Sequence, residues 1–424
     1  MTDYFRMKLN LLFKSASIYI VTGVANSAIP FILLPILTRV LSPSEYGKIV
    51  MFSSAFVVIS SIVCLSVHGS VSVKYFDINI DHPRYLATSL MVVFPSAMFC
   101  IFFIIVFSNP LSRYVGISHW WLIFAALASV AQFIVQLRLL MWQVSHNAFK
   151  YGVFVVSQTV MNLAISLFFV LGLSYGWEGR GVGIVLSMFL FGIVAFLSMQ
   201  VAGMLRWKFS FMYAKSMLKF GIPLIPHSVG GLLMSMTDRF AISALIGIEE
   251  AGVYAAAMQI GLIVFVVSDA CNKSFAPWLF SILSKNDESE KIKIVKYTYF
   301  LFFAIPVLAY FFGKIAPWLL QFVVGSQYQS GSGAVLFIAL GGGFGAMYYL
   351  VANYVFYAEK TGALACVTLF SGVVNVVLAM LLVKANGSVG AAQAYMASQI
   401  ICFFLTWIIA GNVYSMPWKF FIWK

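Results

Sequence analysis

Long apolar runs alternate along the chain with short polar connections. The runs occupy 17–38, 49–73, 86–107, 120–141, 153–173 and 182–205, then 220–246, 253–280, 297–324, 334–357, 363–383 and 391–413. A hydrocarbon core about 30 Å thick needs about 20 apolar residues per helix, and each run meets that length. The pattern predicts an all-α, polytopic membrane protein with twelve transmembrane helices in two six-helix bundles, 1–210 and 211–424. Trp120, Trp121, Trp177, Trp207, Trp318 and Trp418 stand near run ends, where amphipathic rings mark the membrane–water interface.

Composition strengthens this reading. Of 424 residues, 62% are hydrophobic and 9% charged, and the mean hydropathy is +0.97, outside the range of a soluble domain. The net charge of +13 does not indicate nucleic acid, because the cations lie between apolar runs rather than on a solvated face. Placing the N-terminus in the cytoplasm puts seventeen Lys and Arg inside and five outside, namely Arg39, Lys48, Arg113, Arg180 and Lys384. That bias predicts two cytoplasmic termini and an even number of spans. The basic segment before the first run lacks a small-residue cleavage site, so the first helix is expected to be retained. The five cysteines fall within runs and form no CxxC pair, which makes them packing residues.

The two sets of six runs match each other weakly. Ser42-Pro43-Ser44-Glu45-Tyr46-Gly47 is a capping box with Pro at the first helical position. Glu45 and Gly47 recur 205 residues later as Glu250 and Gly252, and Gly183 recurs 207 later as Gly390. Duplicated six-span halves keep one orientation and are related by an axis along the membrane normal, with a cavity between them.

No phosphate loop, HExxH, GxSxG or His/Cys cluster is present, so neither an enzyme nor a cofactor is indicated. Ionisable groups within runs stand out instead, since each costs about 2.5–3.5 kcal/mol at a helix centre. Asp269 and Lys273 are one turn apart with the acid first, either a self-neutralising pair or a proton-responsive one. Asp238 and Arg239 are adjacent and point about 100° apart, so each needs another neighbour. Arg138 and Lys314 lie nearer run ends, where snorkelling is the simpler reading. Four cations against two acids still favour an anionic ligand, for which Arg is the bidentate donor. Arg239, Lys273, Arg138, Lys314 and Arg39 are therefore the candidate anion-binding residues, and Asp269 and Asp238 the candidates for ion coupling. Pro223 and Pro226 remove backbone donors at the start of the seventh run and predict a broken, gating entry helix.

The segment Leu37-Thr38-Arg39-Val40-Leu41-Ser42-Pro43-Ser44-Glu45-Tyr46-Gly47 resembles the polysaccharide transporter branch of the multidrug/oligosaccharidyl-lipid/polysaccharide (MOP) exporter superfamily, especially Wzx-type O-antigen flippases. Gly221-Ile222-Pro223-Leu224-Ile225-Pro226, Asp238-Arg239 with Gly252-Val253-Tyr254-Ala255, and Gly325-Ser326-Gln327-Tyr328 extend the resemblance along the chain. It implies a MATE-like inner-membrane flippase working by alternating access and coupled to an ion gradient. The implied substrate is an undecaprenyl-pyrophosphate-linked oligosaccharide repeat unit for lipopolysaccharide or another surface polysaccharide. Membrane lipid, a glycan polymerase and chain-length machinery are the implied partners. Sugars would need a polar, aromatic-lined cavity, with Gln132, Gln136, Asn162, Asn353, Asn375, Gln393 and Gln399 as candidate lining residues. The alternative is a cation-coupled multidrug exporter of the same superfamily, which would be expected to carry cavity acids that the first run lacks. A peptidoglycan-precursor flippase has more spans, and a membrane glycosyltransferase or polymerase would show large outer loops.

Overall fold

The computed structural model describes residues 22, 23, 31–75, 77, 79–145, 147–222, 225–284, 287–358 and 360–418. Among these residues eight helices are long and apolar enough to cross a membrane, or nine when one bent pair counts as a span. The twelve-run expectation differs from that count for local reasons. Much of run 17–38 lies outside the described residues, leaving α1 as Phe31–Val40. Helix α10 (Ile225–Leu245) carries the charges of Asp238 and Arg239. The final 53-residue helix α15 (Thr361–Val413) is two helices joined at Gly387, whose φ of 62° and ψ of −145° break the spiral between the last two runs. Only glycine adopts such a backbone without a Cβ penalty.

The chain forms two compact units. One comprises 1–41 and 48–225, the other 42–47 and 226–424. In the first, α2 (Pro43–Cys64) and α3 (Val67–Lys74) are followed by α4 (His82–Val106), α5 (Ser108–Val115), α6 (His119–Val144), α7 (Ala148–Leu167), α8 (Gly176–Val201) and α9 (Phe211–Gly221). A π turn, Phe168–Gly172, closes α7. The second run is thus broken at Leu65 and Ser66, whose φ values of 48° and 52° lie in the left-handed region. No glycine or proline signals that break. It is held from outside, because a Cβ on Gly221 of α9 would overlap the Leu65 carbonyl oxygen.

Small residues on α8 bring its neighbours close. A Cβ on Gly183 would overlap Ser166 Oγ of α7, and one on Gly192 would lie 2.9 Å from Ala131 Cβ of α6. Helices in lipid associate through such backbone approach, because apolar burial alone gives them little preference for each other over the acyl chains.

In the second unit, α10 is followed by α11 (Ile248–Gly261), α12 (Ile263–Leu283), α13 (Glu288–Val323), a 3-10 turn at Ser326–Gly331, α14 (Ser332–Tyr357) and α15. Helices α11 and α12 bend by 43° where they meet. Glycines on α14 let it sit at the centre. Gly341 faces the Tyr395 ring, Gly343 faces Ala309 Cβ, and Gly345 faces the Phe265 ring. The capping box opens α2 as expected: the Glu45 N–H donates to Ser42 Oγ (3.3 Å) and the Ser42 N–H to Glu45 Oε2 (3.1 Å).

Candidate functional site

Among the described residues, each unit holds a cavity that brings polar groups together within apolar helices. In the first unit a cavity of about 430 Å³ is lined by α6, α7 and α8, including Gln132, Gln136, Gln158, Asn162 and Arg180. Close α7–α8 packing at Gly183 sets Arg180 against α7, where its Nη1 donates to Asn162 Oδ1 (2.5 Å) and Ser166 Oγ (2.6 Å). Asn162 Nδ2 in turn donates to Ser187 Oγ at 2.9 Å. Gln132 accepts from Ser60 at 3.1 Å, while the buried Gln136 Oε1 has no donor among the described residues. This network presents amides and a guanidinium in a low-dielectric setting, where donors and acceptors act strongly.

Arg180 is the residue that sequence reasoning missed. By position it reads as a topological charge in the outer connection, yet the structure places it within α8 and on the cavity wall. Its signal was available in the polar Asn162 and Ser166 of the preceding run, whose pairing requires knowing how α7 meets α8.

The second unit holds a cavity of about 390 Å³ lined by Arg239, Phe265, Tyr348, Tyr349, Tyr395 and Gln399, among others. Phe265 stacks on Tyr349 with ring centroids 5.5 Å apart. Arg239 is held by its own helix, donating to the Ser235 carbonyl. Its neighbour Asp238 is 1% exposed and accepts from the Arg239 N–H at 2.8 Å. Asp238 Oδ2 meets no donor at bonding geometry among the described residues, although Tyr254 and Tyr395 stand within electrostatic reach. Arg239 lines the cavity, and its guanidinium still stands 3.9 Å from Asp238 Oδ1, a long ion pair with a carboxylate buried behind the lining.

The other candidates are dispersed. Asp269 and Lys273 pair at 2.8 Å, both partly exposed, and Asp269 interacts with the cavity residue Tyr349. Arg138 is buried on the Trp142 ring at 4.3 Å with Met204 Sδ beside it. Lys314 lies over Tyr310 at 5.6 Å. Arg39 is exposed at the end of α1. None of these three lines either cavity. Pro223 lies outside the described residues, and Pro226 falls within α10, so no helix break is seen at the latter. Of the proposed amides, Asn353 is bonded to Asn272 and Gln393 to Asn386, while Asn375 donates to the Leu233 carbonyl.

A family model described as polysaccharide biosynthesis protein matches residues 12–283. "Lsg locus putative protein 1" of Haemophilus influenzae is 25% identical, with 86% of this chain and 89% of that protein covered. The "probable low-salt glycan biosynthesis flippase Agl15" of Haloferax volcanii is 21% identical over 88% of this chain and 78% of its own length. Among solved structures, the lipid II flippase MurJ in an inward closed conformation superposes with a TM-score of 0.73 at 13% identity, covering 94% of this chain and 87% of that one. An inward-facing multidrug resistance MATE family transporter of the MOP superfamily gives 0.69 at 13% identity, covering 91% and 94%. These two likenesses establish a shared membrane-transporter fold.

Proposed function

Since the chain belongs to the family of polysaccharide biosynthesis proteins, we propose that it is a flippase, not an enzyme, that carries an undecaprenyl-pyrophosphate-linked oligosaccharide across the bacterial inner membrane. One observation supports this reading above the rest. Each cavity carries an arginine and, among the described residues, neither lining contains a carboxylate. An arginine fork in a dry site recognises pyrophosphate oxygens through charge-assisted, bidentate hydrogen bonds. Amides beside Arg180 suit hydroxyl-rich sugars, and the aromatic wall beside Arg239 suits sugar faces or the first prenyl units. In this reading the remaining prenyl tail stays in lipid.

Arg239 and Arg180 are the proposed anion contacts, and Lys273, paired with Asp269 on α12, is the proposed third. Packing accounts for Arg138 and Lys314, and Arg39 is left to membrane topology. Asp269 and Asp238 are the proposed ion-coupling groups, and twelve spans with both termini cytoplasmic form the proposed topology. O-antigen is the proposed class of glycan, with a polymerase and chain-length machinery downstream.

A cation-coupled multidrug exporter is the second reading, favoured by the MATE-type fold. It calls for acids in the cavity, and Asp238, behind Arg239, is not among the lining residues. Reconstitution separates the two. Proteoliposomes containing the full chain should translocate an undecaprenyl-pyrophosphate-linked oligosaccharide and leave a cationic dye unmoved. Dye transport without lipid translocation would overturn the proposal, as would normal surface glycan after loss of the gene.

A further inference from the structure

The segment that joins α8 to α10 is seated on the first unit and turns a basic, aromatic face outward. Helix α9 buries Tyr213, Ala214, Met217 and Gly221, one stripe at helical spacing. Tyr213 packs on Tyr85 with centroids 5.2 Å apart, and its hydroxyl accepts from the Asp81 N–H at 3.2 Å. The approach to α9 is tied down as well. Arg206 pairs with Asp81 at 3.0 Å, and Arg84 donates to the carbonyls of Lys208 and Phe209, each at 3.1 Å.

The opposite face is exposed. Phe211 is 76% and Met212 69% accessible, and the exposed Lys215 and Lys219 follow Phe211 at successive turns. Phe209 and Lys208, just before the helix, are exposed too. The buried face and the approach to α9 rest on the first turn of α4, at the end of a helix long and apolar enough to span. The free face of a helix seated there would meet the interface. Aromatic and thioether side chains reach the acyl boundary there, while lysines alternating with them meet headgroups.

We propose that α9 is an anionic phospholipid site, binding phosphatidylglycerol-type headgroups in the cytoplasmic leaflet through Lys208, Lys215 and Lys219. The occupant follows from charge. A zwitterionic surface would use the apolar residues alone, whereas three exposed lysines interleaved with them complement a negative headgroup layer. The site is independent of what the cavities carry. It fixes the connecting segment at the membrane surface, so lipid composition acts on the peptide that leads from α8 into α10.

The test uses the full chain in detergent, titrated with phosphatidylglycerol or phosphatidylcholine. Wild type should bind phosphatidylglycerol more tightly than phosphatidylcholine. Lys215→Gln with Lys219→Gln should lower the phosphatidylglycerol affinity by roughly 25-fold, about fivefold for each of the two lysines, and leave phosphatidylcholine unchanged. A Lys150→Gln, Lys384→Gln control removes equal charge elsewhere and should behave as wild type. Equal affinity of the α9 variant and wild type for phosphatidylglycerol would overturn the proposal and leave the face to a protein partner. So would an equal loss in the control, since net charge alone would then explain the effect.

Discussion

Gly47 and Gly252 meet where the helices α2 and α11 begin, and each occupies space that the other's segment leaves free. A Cβ on Gly47 would overlap the Ile248 carbonyl oxygen, and one on Gly252 would overlap the Pro43 carbonyl oxygen. Pro43 and Ile248 are themselves 205 residues apart, the same interval that separates the two glycines. The contact is reciprocal, as a local two-fold relation between duplicated segments produces. It also explains why 42–47 belongs to the second unit while the rest of α2 belongs to the first.

The first prediction follows from that contact. Gly252→Ala and Gly47→Ala should each destabilise by about 1–3 kcal/mol through overpacking against backbone, which cannot rotate away. Gly231→Ala, facing open space, should change the unfolding midpoint little. Thermal unfolding of the three variants in one detergent makes the comparison, and an unshifted midpoint for Gly252→Ala would show that the close approach carries no packing energy.

Much of this was readable from the sequence, and the exceptions have physical reasons. Apolar run length located the helices because lipid imposes that length on any span. The Ser42–Glu45 cap and the Asp269–Lys273 pair were legible because both are local, set by one helical turn. Arg180 was not, because its partners Asn162 and Ser166 are on another helix and its place at a run boundary imitates a topological charge. Arg138 lies over Trp142, one turn on, a local pairing that the i,i+4 spacing makes legible. The break at Leu65 and Ser66 left no trace, since Gly221, far along the chain, is what accommodates it.

A second prediction concerns Arg180. Arg180→Gln should lower lipid-linked oligosaccharide translocation by about tenfold or more, since one charge-assisted hydrogen bond contributes about 1.5–3 kcal/mol. Arg180→Lys should recover part of it, keeping the charge without the fork. The rate per folded protein is the readout. Full translocation by Arg180→Gln would remove the residue from the site.

The third prediction concerns acid. Partial burial opposes ionisation of Asp81, but hydrogen bonds from Arg206 and the Arg84 N–H outweigh it and hold the carboxyl below its ordinary range. A carboxylate whose folded value is depressed adds stability above its unfolded value, and that stability fades as pH falls through the folded one. Arg206 is 70% exposed, so the contribution is modest, roughly 0.5–1 kcal/mol after screening. Unfolding midpoints between about pH 6 and 3 should fall more steeply for wild type than for Asp81→Asn. Parallel curves would mean that the pair adds nothing.

The last prediction separates pairing from coupling at Asp269. An i,i+4 pair in the favourable order, partly exposed on both sides, contributes about 0.3–0.5 kcal/mol, so Asp269→Asn should scarcely alter the unfolding midpoint. If Asp269 takes up a proton during the cycle, its charge controls how firmly Lys273 is held and so how freely that ammonium meets an anion. Asp269→Asn then fixes the neutral state, and translocation should lose most of its dependence on the proton gradient while substrate binding persists. Lys273→Gln in the same background should add little, because the two residues act as one unit. Translocation with an unchanged rate and pH profile in Asp269→Asn would reduce the pair to local charge neutralisation and leave Asp238 as the remaining candidate for coupling.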